Sequence, residues 1–490
     1  MNILGISAGF HDAAATVLSP AGEILFAGHS ERYSKIKNDA NFCDDFKEDI
    51  WSHGDIGHVA YYERPWNKQL RRLYSGEGIE WDKLTARQIL RQQIGYVPKS
   101  YSTHSHHLSH AAAGFQTSSF DRATVVVIDA IGEWDTVSIW GAEYVAGQAR
   151  YTRLWGQKYP HSVGLFYSAM TQKAGLKPNE EEYILMGMAA YGNAHTTTPM
   201  QNRLVAHEYE VEFKHNLHLG LHDEYFDAFP DADIAAGAQN VTEILILNII
   251  YRAKKLGWSK NLVYMGGVAL NCSANRNIGA YFDNIWIMPN PGDAGSSLGA
   301  AALAHGGRIN WTNAYLGHDI PGAYPVNELL DRLLAESIVG VASGRAEFGP
   351  RALGNRSLLA DPRGSKIKER VNEIKRRQQF RPFAPVILEE LADQYFDMPR
   401  GFNGSRYMQV VASCRHPDLF PAIVHHDGTS RVQTMPKDGS GIRELLEKWF
   451  FMTGCPMLLN TSLNIRGEPM VNDRKDADRF EKLYGVKVCS

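Results

Sequence analysis

The chain has 490 residues, 44% of them hydrophobic and 21% charged. That is the composition of globular domains, two to four at the usual size, and it excludes wholesale disorder and fibrous repeats. Fifty-one Lys and Arg against 54 Asp and Glu leave a net charge of −3, which argues against a protein dedicated to nucleic acid or membrane surfaces.

The first 28 residues predict three strands with tight turns: Asn2 to Ser7, Ala13 to Leu18 and Glu23 to Ala27, with Gly9-Phe10-His11-Asp12 as the first turn. Tyr101 to Gln116 has helical spacing and carries four histidines between His104 and His110. Ala123 to Ile128 repeats the strand grammar and ends in Asp129-Ala130-Ile131-Gly132-Glu133, with a return strand over Thr136 to Tyr144. Val163 to Gly175, Glu181 to Gly192 and Val241 to Leu256 predict helices. Leu262 to Met265 is a short strand ending in Gly266-Gly267. Ile285 to Met288 is another, followed by Pro-Asn-Pro-Gly-Asp293 and an alanine-rich helix over Ser296 to Ala304. Strands alternating with helices place the chain in the α/β class. The five cysteines contain no C-x-x-C, as expected of a reduced, cytoplasmic protein. Neither a signal peptide nor a transmembrane helix is expected, because no apolar run approaches ~18 residues.

A domain boundary is expected near Gly317 to Val326, dividing the chain into residues 1–320 and 326–490. Beyond it, Ser343 to Arg381 holds eleven basic and four acidic residues, +7 within a chain of net −3. Such a concentration reads better as an anion site than as a solvated face. For Arg370, Arg376 and Arg377, on a charged helix, surface pairing is the preferred reading.

His106 and His110 are four apart, so on a helix they share one face and can grip one metal. The glutamate of a zinc protease is missing from this H-x-x-x-H. By spacing alone a His-rich surface helix is equally good, but Asp129 and Asp293, each closing a strand or turn, would complete a mixed site for Fe(II), Mn(II) or Zn(II). Taken singly, each aspartate reads better as a cap. Gly9, Gly132, Gly266, Gly267, Gly292 and Gly295 each follow an apolar run, as in loops that admit phosphates. Arg345, Arg351, Lys375, Arg381, Arg431, Asn460 and Ser462 lie in Gly-, Pro- and Ser-rich segments suited to capturing phosphate or carboxylate.

In order along nearly the whole chain stand G-x-S-x-G-F-H-D-A-A, S-E-R-Y-S-K-I-K, H-H-L-S-H-A-A, V-V-V-I-D-A-I-G-E, K-P-N-E-x-E-Y-x-x-M-G-M-A-x-Y-G, G-G-V-A-L-N-C, P-N-P-G-D-A-G-S-S-L-G-A-A, G-R-A-E-F-G-P-R-A-L-G-N-R-S, F-R-P-F-A-P and N-T-S-L-N-x-x-G-E-P. Together they resemble the O-carbamoyltransferase family of nodulation-factor and antibiotic biosynthesis. The N-terminal part is similar to the tRNA threonylcarbamoyl transferase, an actin-like ATPase fold of sugar-kinase type; the C-terminal part resembles a YrdC-like α/β domain. The resemblance implies that ATP and carbamoyl phosphate form carbamoyl-adenylate in the second domain, and that the first moves the carbamoyl group to an acceptor hydroxyl. It implies iron, or another divalent metal, on His106, His110, Asp129 and Asp293, and His11 and Lys37 at the transfer site. Arg351, Lys375, Arg381, Arg431 and Ser462, with Arg345 and Asn460 from the same motifs, would bind phosphates. Gly266, Gly267 and Asn271 would touch the adenylate. The Asp293 turn and the arginine motif are expected on opposite walls of a cavity between the domains. The chain is shorter than many relatives, mainly in its C-terminal half.

The expected acceptor is a small molecule or nucleoside, with neither a membrane nor an extended nucleic-acid surface as partner; a homodimer is compatible with the sequence and not demanded by it. The competing readings are carbamoylation of a nucleic-acid base nitrogen, a non-catalytic nucleotide-binding protein, and a sugar kinase, which leaves the C-terminal arginines unexplained.

Overall fold

In a computed structural model, which describes residues 1–364 and 366–490, the strands group into three principal sheets. The first holds β1 (Asn2–Ser7), β2 (Ala14–Leu18), β3 (Ile24–His29), β4 (Ile56–Tyr61) and β5 (Tyr101–Thr103), with helix α1 (Pro65–Tyr74) in the β4–β5 connection. Its order is β3-β2-β1-β4-β5. β2 runs antiparallel to both β1 and β3, while β4 and β5 continue parallel to β1. After helix α2 (His106–Thr117) the pattern repeats in β6 (Arg122–Gly132), β7 (Asp135–Val145), β8 (Gln148–Lys158), β9 (Asn261–Met265) and β10 (Asn284–Trp286). The order β10-β9-β6-β7-β8 has the same hairpins and the same parallel additions. Two copies of this sheet on one chain make the actin-like ATPase fold, to which the sugar kinases belong.

The two copies meet through small residues. Ala111, Ala112 and Ala113 of α2 are fully buried, as are Ala300, Ala301 and Ala302 of helix α3 (Ser296–His305). A Cβ on Gly299 would come within 1.8 Å of the Ser109 carbonyl, and one on Gly5 within 1.9 Å of that of Ser297. Alanine and glycine are therefore required where α3 crosses α2 and β1. The close crossing carries His110 on α2 up to Asp293, just before α3.

The helix expected from Val241 begins ten residues earlier and spans Asp231–Lys255. It is long and apolar enough to cross a membrane, yet 67% of its apolar window is buried. Ile234, Leu245, Ile249 and neighbours pack in the second sheet's core with Val126, Ile139 and Phe166, so it is a core helix.

The segment read as the start of the linker is a strand. β11 (Tyr315–Ile320) precedes β12 (Ile338–Ala342) and pairs antiparallel with β13 (Gly344–Glu347). The third sheet combines β12, β14 (Arg356–Ala360), β15 (Ala384–Leu388), β16 (Gln433–Met435), β17 (Met457–Ser462) and β18 (Val488–Cys489), in the order β16-β15-β17-β14-β12-β18. Its core includes Val339, Leu358, Ile387, Leu458 and Trp449, separate from the cores of the first two sheets.

Candidate functional site

Two polar centres flank the junction between the actin-like half and the third sheet. The first gathers His106 and His110 from α2, Asp129 from β6 and Asp293 from the turn before α3. All four are buried, and one ligand atom from each lies within 4.8 Å of the others. His106 Nε2 is 3.2 Å from Asp129 Oδ2 and 3.1 Å from His110 Nε2; His110 Nε2 is 3.2 Å from Asp293 Oδ1. Two imidazoles and two carboxylates converging on one point suit a borderline divalent metal. Asp129 is aimed by its other oxygen, which accepts from the backbone N–H of Ala130 and Gly267 at 2.9 and 3.3 Å. Burial opposes protonation of His106, but the charge of Asp293 and the hydrogen bonds the ring donates to both aspartates outweigh it and raise the imidazole well above its ordinary value. Two buried carboxylates this close suit a bound cation.

His11 stands at the edge. Its Nε2 is 3.1 Å from Asp293 Oδ2 and its side chain is 51% exposed, so it marks the side open to solvent. Loss of water on the edge that faces Asp293 opposes protonation, yet the Asp293 carboxylate prevails and raises His11 to about 10.

Behind the cluster lie residues that the sequence reading passed over. Glu63, two residues beyond β4, is fully buried, with Oε2 3.2 Å from His106 Nδ1. Lys68 of α1 donates to both Glu63 oxygens at 3.1 and 3.2 Å. Glu133 accepts from the backbone N–H of His106 and Arg64. The signal was an acidic residue closing a strand, as at Asp129.

The second centre is cationic. Arg351, Lys375, Arg377, Arg381 and Arg431 act on one another electrostatically, and among the described residues none pairs with a carboxylate. Burial, then the charge of Arg431, pushes Arg351 down to about 9. Burial, then Arg377 and Arg381, pushes Lys375 well below its usual range. A guanidinium keeps its proton at neutral pH, so this crowding is a cost that a bound anion offsets.

Arg377 corrects the surface reading: its helix ends at Ile374, Arg376 turns at φ +49°, and Arg377 comes back over the Phe383 ring at 4.1 Å. Lys37 lies over Tyr183, 5.5 Å from the ring centre, and Arg381 lies 4.8 Å from the same centre. Lys37 therefore sits with the cationic group. Lys375 Nζ donates to Ser462 Oγ at 3.2 Å and to the Asn464 carbonyl and side chain at 2.8 and 2.9 Å, which fixes the turn after β17. Asn460 donates to Gln433 and to the Ala352 carbonyl, under the arginine loop.

Arg345 is not brought to this group. Its guanidinium donates to the carbonyls of Leu25, Leu316 and Gly317 and fastens β13 to the first domain. Arg356, fully buried, likewise donates to five backbone carbonyls. Asn271 is held by Gln239 and caps the short helix after it by accepting from Ala274 N–H, so its side chain is committed elsewhere.

The arginine loop has its own organiser. Glu347 Oε1 accepts from the backbone N–H of Leu353, Asn355 and Arg356 at 2.8, 2.9 and 3.2 Å, folding the loop round one carboxylate with Arg351 at its bend. Arg32, 3% exposed, donates to the Glu347 carbonyl and, at 2.6 Å, to that of Gly349. This clasp draws the loop onto the turn before Asp293, where a Cβ on Gly349 would stand 2.7 Å from the Pro289 carbonyl. The Asp293 turn and the arginine motif are therefore packed together, not set on opposite walls; between Ala269, Pro291 and Arg351 remains a cavity of about 10 Å³.

One short segment joins the centres. Gly267 N–H holds Asp129, and five residues on, the Cys272 thiol meets Arg431. Much of this segment is 3₁₀ helix, Gly267–Leu270, so its two ends stay close together and the centres they touch are neighbours.

Residues 74–302 match the carbamoyltransferase N-terminus model and residues 330–488 the carbamoyltransferase C-terminus model. The chain belongs to the carbamoyltransferase family. Within the family it is 33% identical to the uncharacterized protein sll1178 of Synechocystis, over 98% of this chain and 94% of that one. It is 30% identical to nodulation protein NolNO of Sinorhizobium fredii, over 95% of this chain and 76% of the relative. Among solved structures, the activator of the 2-hydroxyisocaproyl-CoA dehydratase from Clostridium difficile is 13% identical with a TM-score of 0.36, covering 62% of this carbamoyltransferase and 94% of the activator; the fold assignment rests on the strand order.

Proposed function

We propose that this carbamoyltransferase makes carbamoyl-adenylate at the cationic centre, where water cleaves carbamoyl phosphate to carbamate and phosphate and the carbamate displaces pyrophosphate from ATP, and passes the carbamoyl group, with release of AMP, to the hydroxyl of a small molecule or nucleoside beside the histidine–aspartate centre. The observation that carries the reading is the pairing of two unlike centres at the two ends of the short Gly267–Cys272 segment. One is an N/O donor set that fits a divalent cation, the other a carboxylate-free group of cations that fits phosphates.

Arg351, Arg377, Arg381 and Arg431 would hold the anionic reactants, with Lys37 extending the group through Tyr183. A divalent ion on His106, His110, Asp129 and Asp293, iron in the reading above, would polarise the carbamoyl carbonyl. With the charge of Asp293 taken up by that ion, the interaction that holds His11 protonated is removed, and the half-exposed imidazole would then accept the proton of the attacking hydroxyl. The basic residues of Ser343 to Arg381 that gather here face inward at a domain junction, which favours a compact acceptor over a long nucleic acid. No disulfide forms among the described residues, consistent with a cytoplasmic setting.

The test separates the half-reactions. Arg351→Ala and Arg431→Ala should lose carbamoyl-phosphate-dependent pyrophosphate release from ATP by roughly a hundredfold, while Arg345→Lys should keep the wild-type KM for carbamoyl phosphate. His106→Ala and His110→Ala should retain pyrophosphate release and lose both bound metal and transfer. Wild-type pyrophosphate release from the Arg351 and Arg431 variants would overturn the assignment.

A further inference from the structure

Helix α1 is built inside out. It buries Lys68, Gln69 and Arg71, at 6%, 1% and 4% exposure, and turns Trp66, Leu70 and Leu73 outward at 53%, 49% and 55%. Burying a lysine on a helix that has leucines to bury is costly unless its charge is used. The inward residues have specific partners. Lys68 holds both oxygens of Glu63, and Glu63 Oε2 faces His106 Nδ1. Asn67 donates to Glu133 Oε2 at 3.0 Å, and Glu133 Oε1 takes the N–H groups of Arg64 and His106. Both carboxylates behind His106 are thus held from α1. His110 has no such support among the described residues, none of which hydrogen-bonds its buried Nδ1.

We propose that α1 is the positioning element of the metal centre, acting through Lys68 and Glu63 to fix His106 with its proton on Nδ1 and its Nε2 lone pair directed at the cation. This rests on the metal reading above. A carboxylate bound on both oxygens by an ammonium is an acceptor only, so the ring nitrogen facing it must donate, and the opposite nitrogen is left as the ligand atom. Glu133 adds to this by holding the His106 backbone. His106 is accordingly the anchored ligand and His110 the adaptable one. Glu63, Lys68 and Glu133 touch neither metal nor substrate and act through His106 alone.

The experiment titrates the full-length protein with Co(II), reading affinity by chelator competition and geometry from the visible absorption bands. Glu63→Ala should bind Co(II) roughly 10- to 100-fold more weakly with altered bands, Lys68→Met should weaken it in the same direction, and Lys68→Arg should restore wild-type affinity and bands. If wild type binds no Co(II), the metal reading itself fails. If wild type binds it and Glu63→Ala matches wild type in affinity and bands, the metal reading stands and this inference falls. The wild-type protein alone gives a second test, independent of whether the variants fold. In ¹⁵N-histidine spectra with Zn(II) bound, His106 should show a protonated Nδ1 and a metal-shifted Nε2; the reverse assignment overturns the proposal.

Discussion

Glu347 offers the sharpest test of how the arginine loop is built. In Glu347→Ala, three backbone donors, those of Leu353, Asn355 and Arg356, lose one shared acceptor. Leu353 and Arg356 are 2% and 0% exposed, so water does not replace it there, while the half-buried Asn355 recovers part of its loss. An unmet buried donor that had faced a charged partner costs about 1.5–2 kcal/mol. Two of them bring the loop about 3–4 kcal/mol closer to its open state, or roughly 140- to 700-fold in local opening. Glu347→Gln keeps a carbonyl at the same place and loses only the charge facing Arg32 and Arg356, so a loss of about 1–2 kcal/mol, roughly 5- to 30-fold, is expected. Hydrogen exchange read by mass spectrometry on peptides covering 348–358 measures both. Exchange in Glu347→Ala within threefold of wild type would refute the hub.

Two further changes probe other parts. Gly266 has φ +91°, and a Cβ there would lie 2.1 Å from the Ile128 carbonyl; Gly266→Ala should displace the loop that supplies Gly267 N–H to Asp129 and lower both melting temperature and bound divalent metal, and wild-type metal content by elemental analysis would contradict this. Glu390 is held down to about 2, first by its hydrogen bonds to Arg443, from an ordinary 4.5. The folded value is the lower one, so its contribution is full above pH 4.5 and vanishes as pH falls toward 2. At 41% exposure the pair contributes about 1 kcal/mol or less, so denaturation curves of wild type and Glu390→Gln should differ at pH 7 and converge near pH 2; a gap independent of pH would sink this account.

The sequence revealed what local spacing encodes. H-x-x-x-H puts two imidazoles on one helix face, and an aspartate closing a strand is poised at a sheet's end; both rules hold at His106, His110 and Asp129. Glu63 obeys the same strand-end rule but went unseen because Gly57 and His58 interrupt the apolar pattern of β4. Arg345 and Arg351 stand in one motif with the same chemistry nearby, yet β13 directs Arg345 at carbonyls of the first domain while the loop round Glu347 carries Arg351 to the cations; only the fold separates them. Arg377 read as surface because helical spacing was extended past Ile374, where a left-handed residue reverses the chain. β11 was invisible as a strand because its partner, β13, lies beyond a helix that intervenes in sequence.

The Arg32 clasp has a consequence for how the protein is made. Arg32 and Gly349 are 317 residues apart, so at ~5–20 residues per second of synthesis the arginine waits about 15–60 s for its partner to leave the ribosome. During that interval the face that will receive the second domain is open to water. A leucine there would invite association with other nascent chains, whereas a guanidinium stays hydrated until the Glu347 and Gly349 carbonyls arrive. Fastening the two halves with a buried cation on carbonyl oxygens lets the finished junction be dry while the half-made one remains soluble.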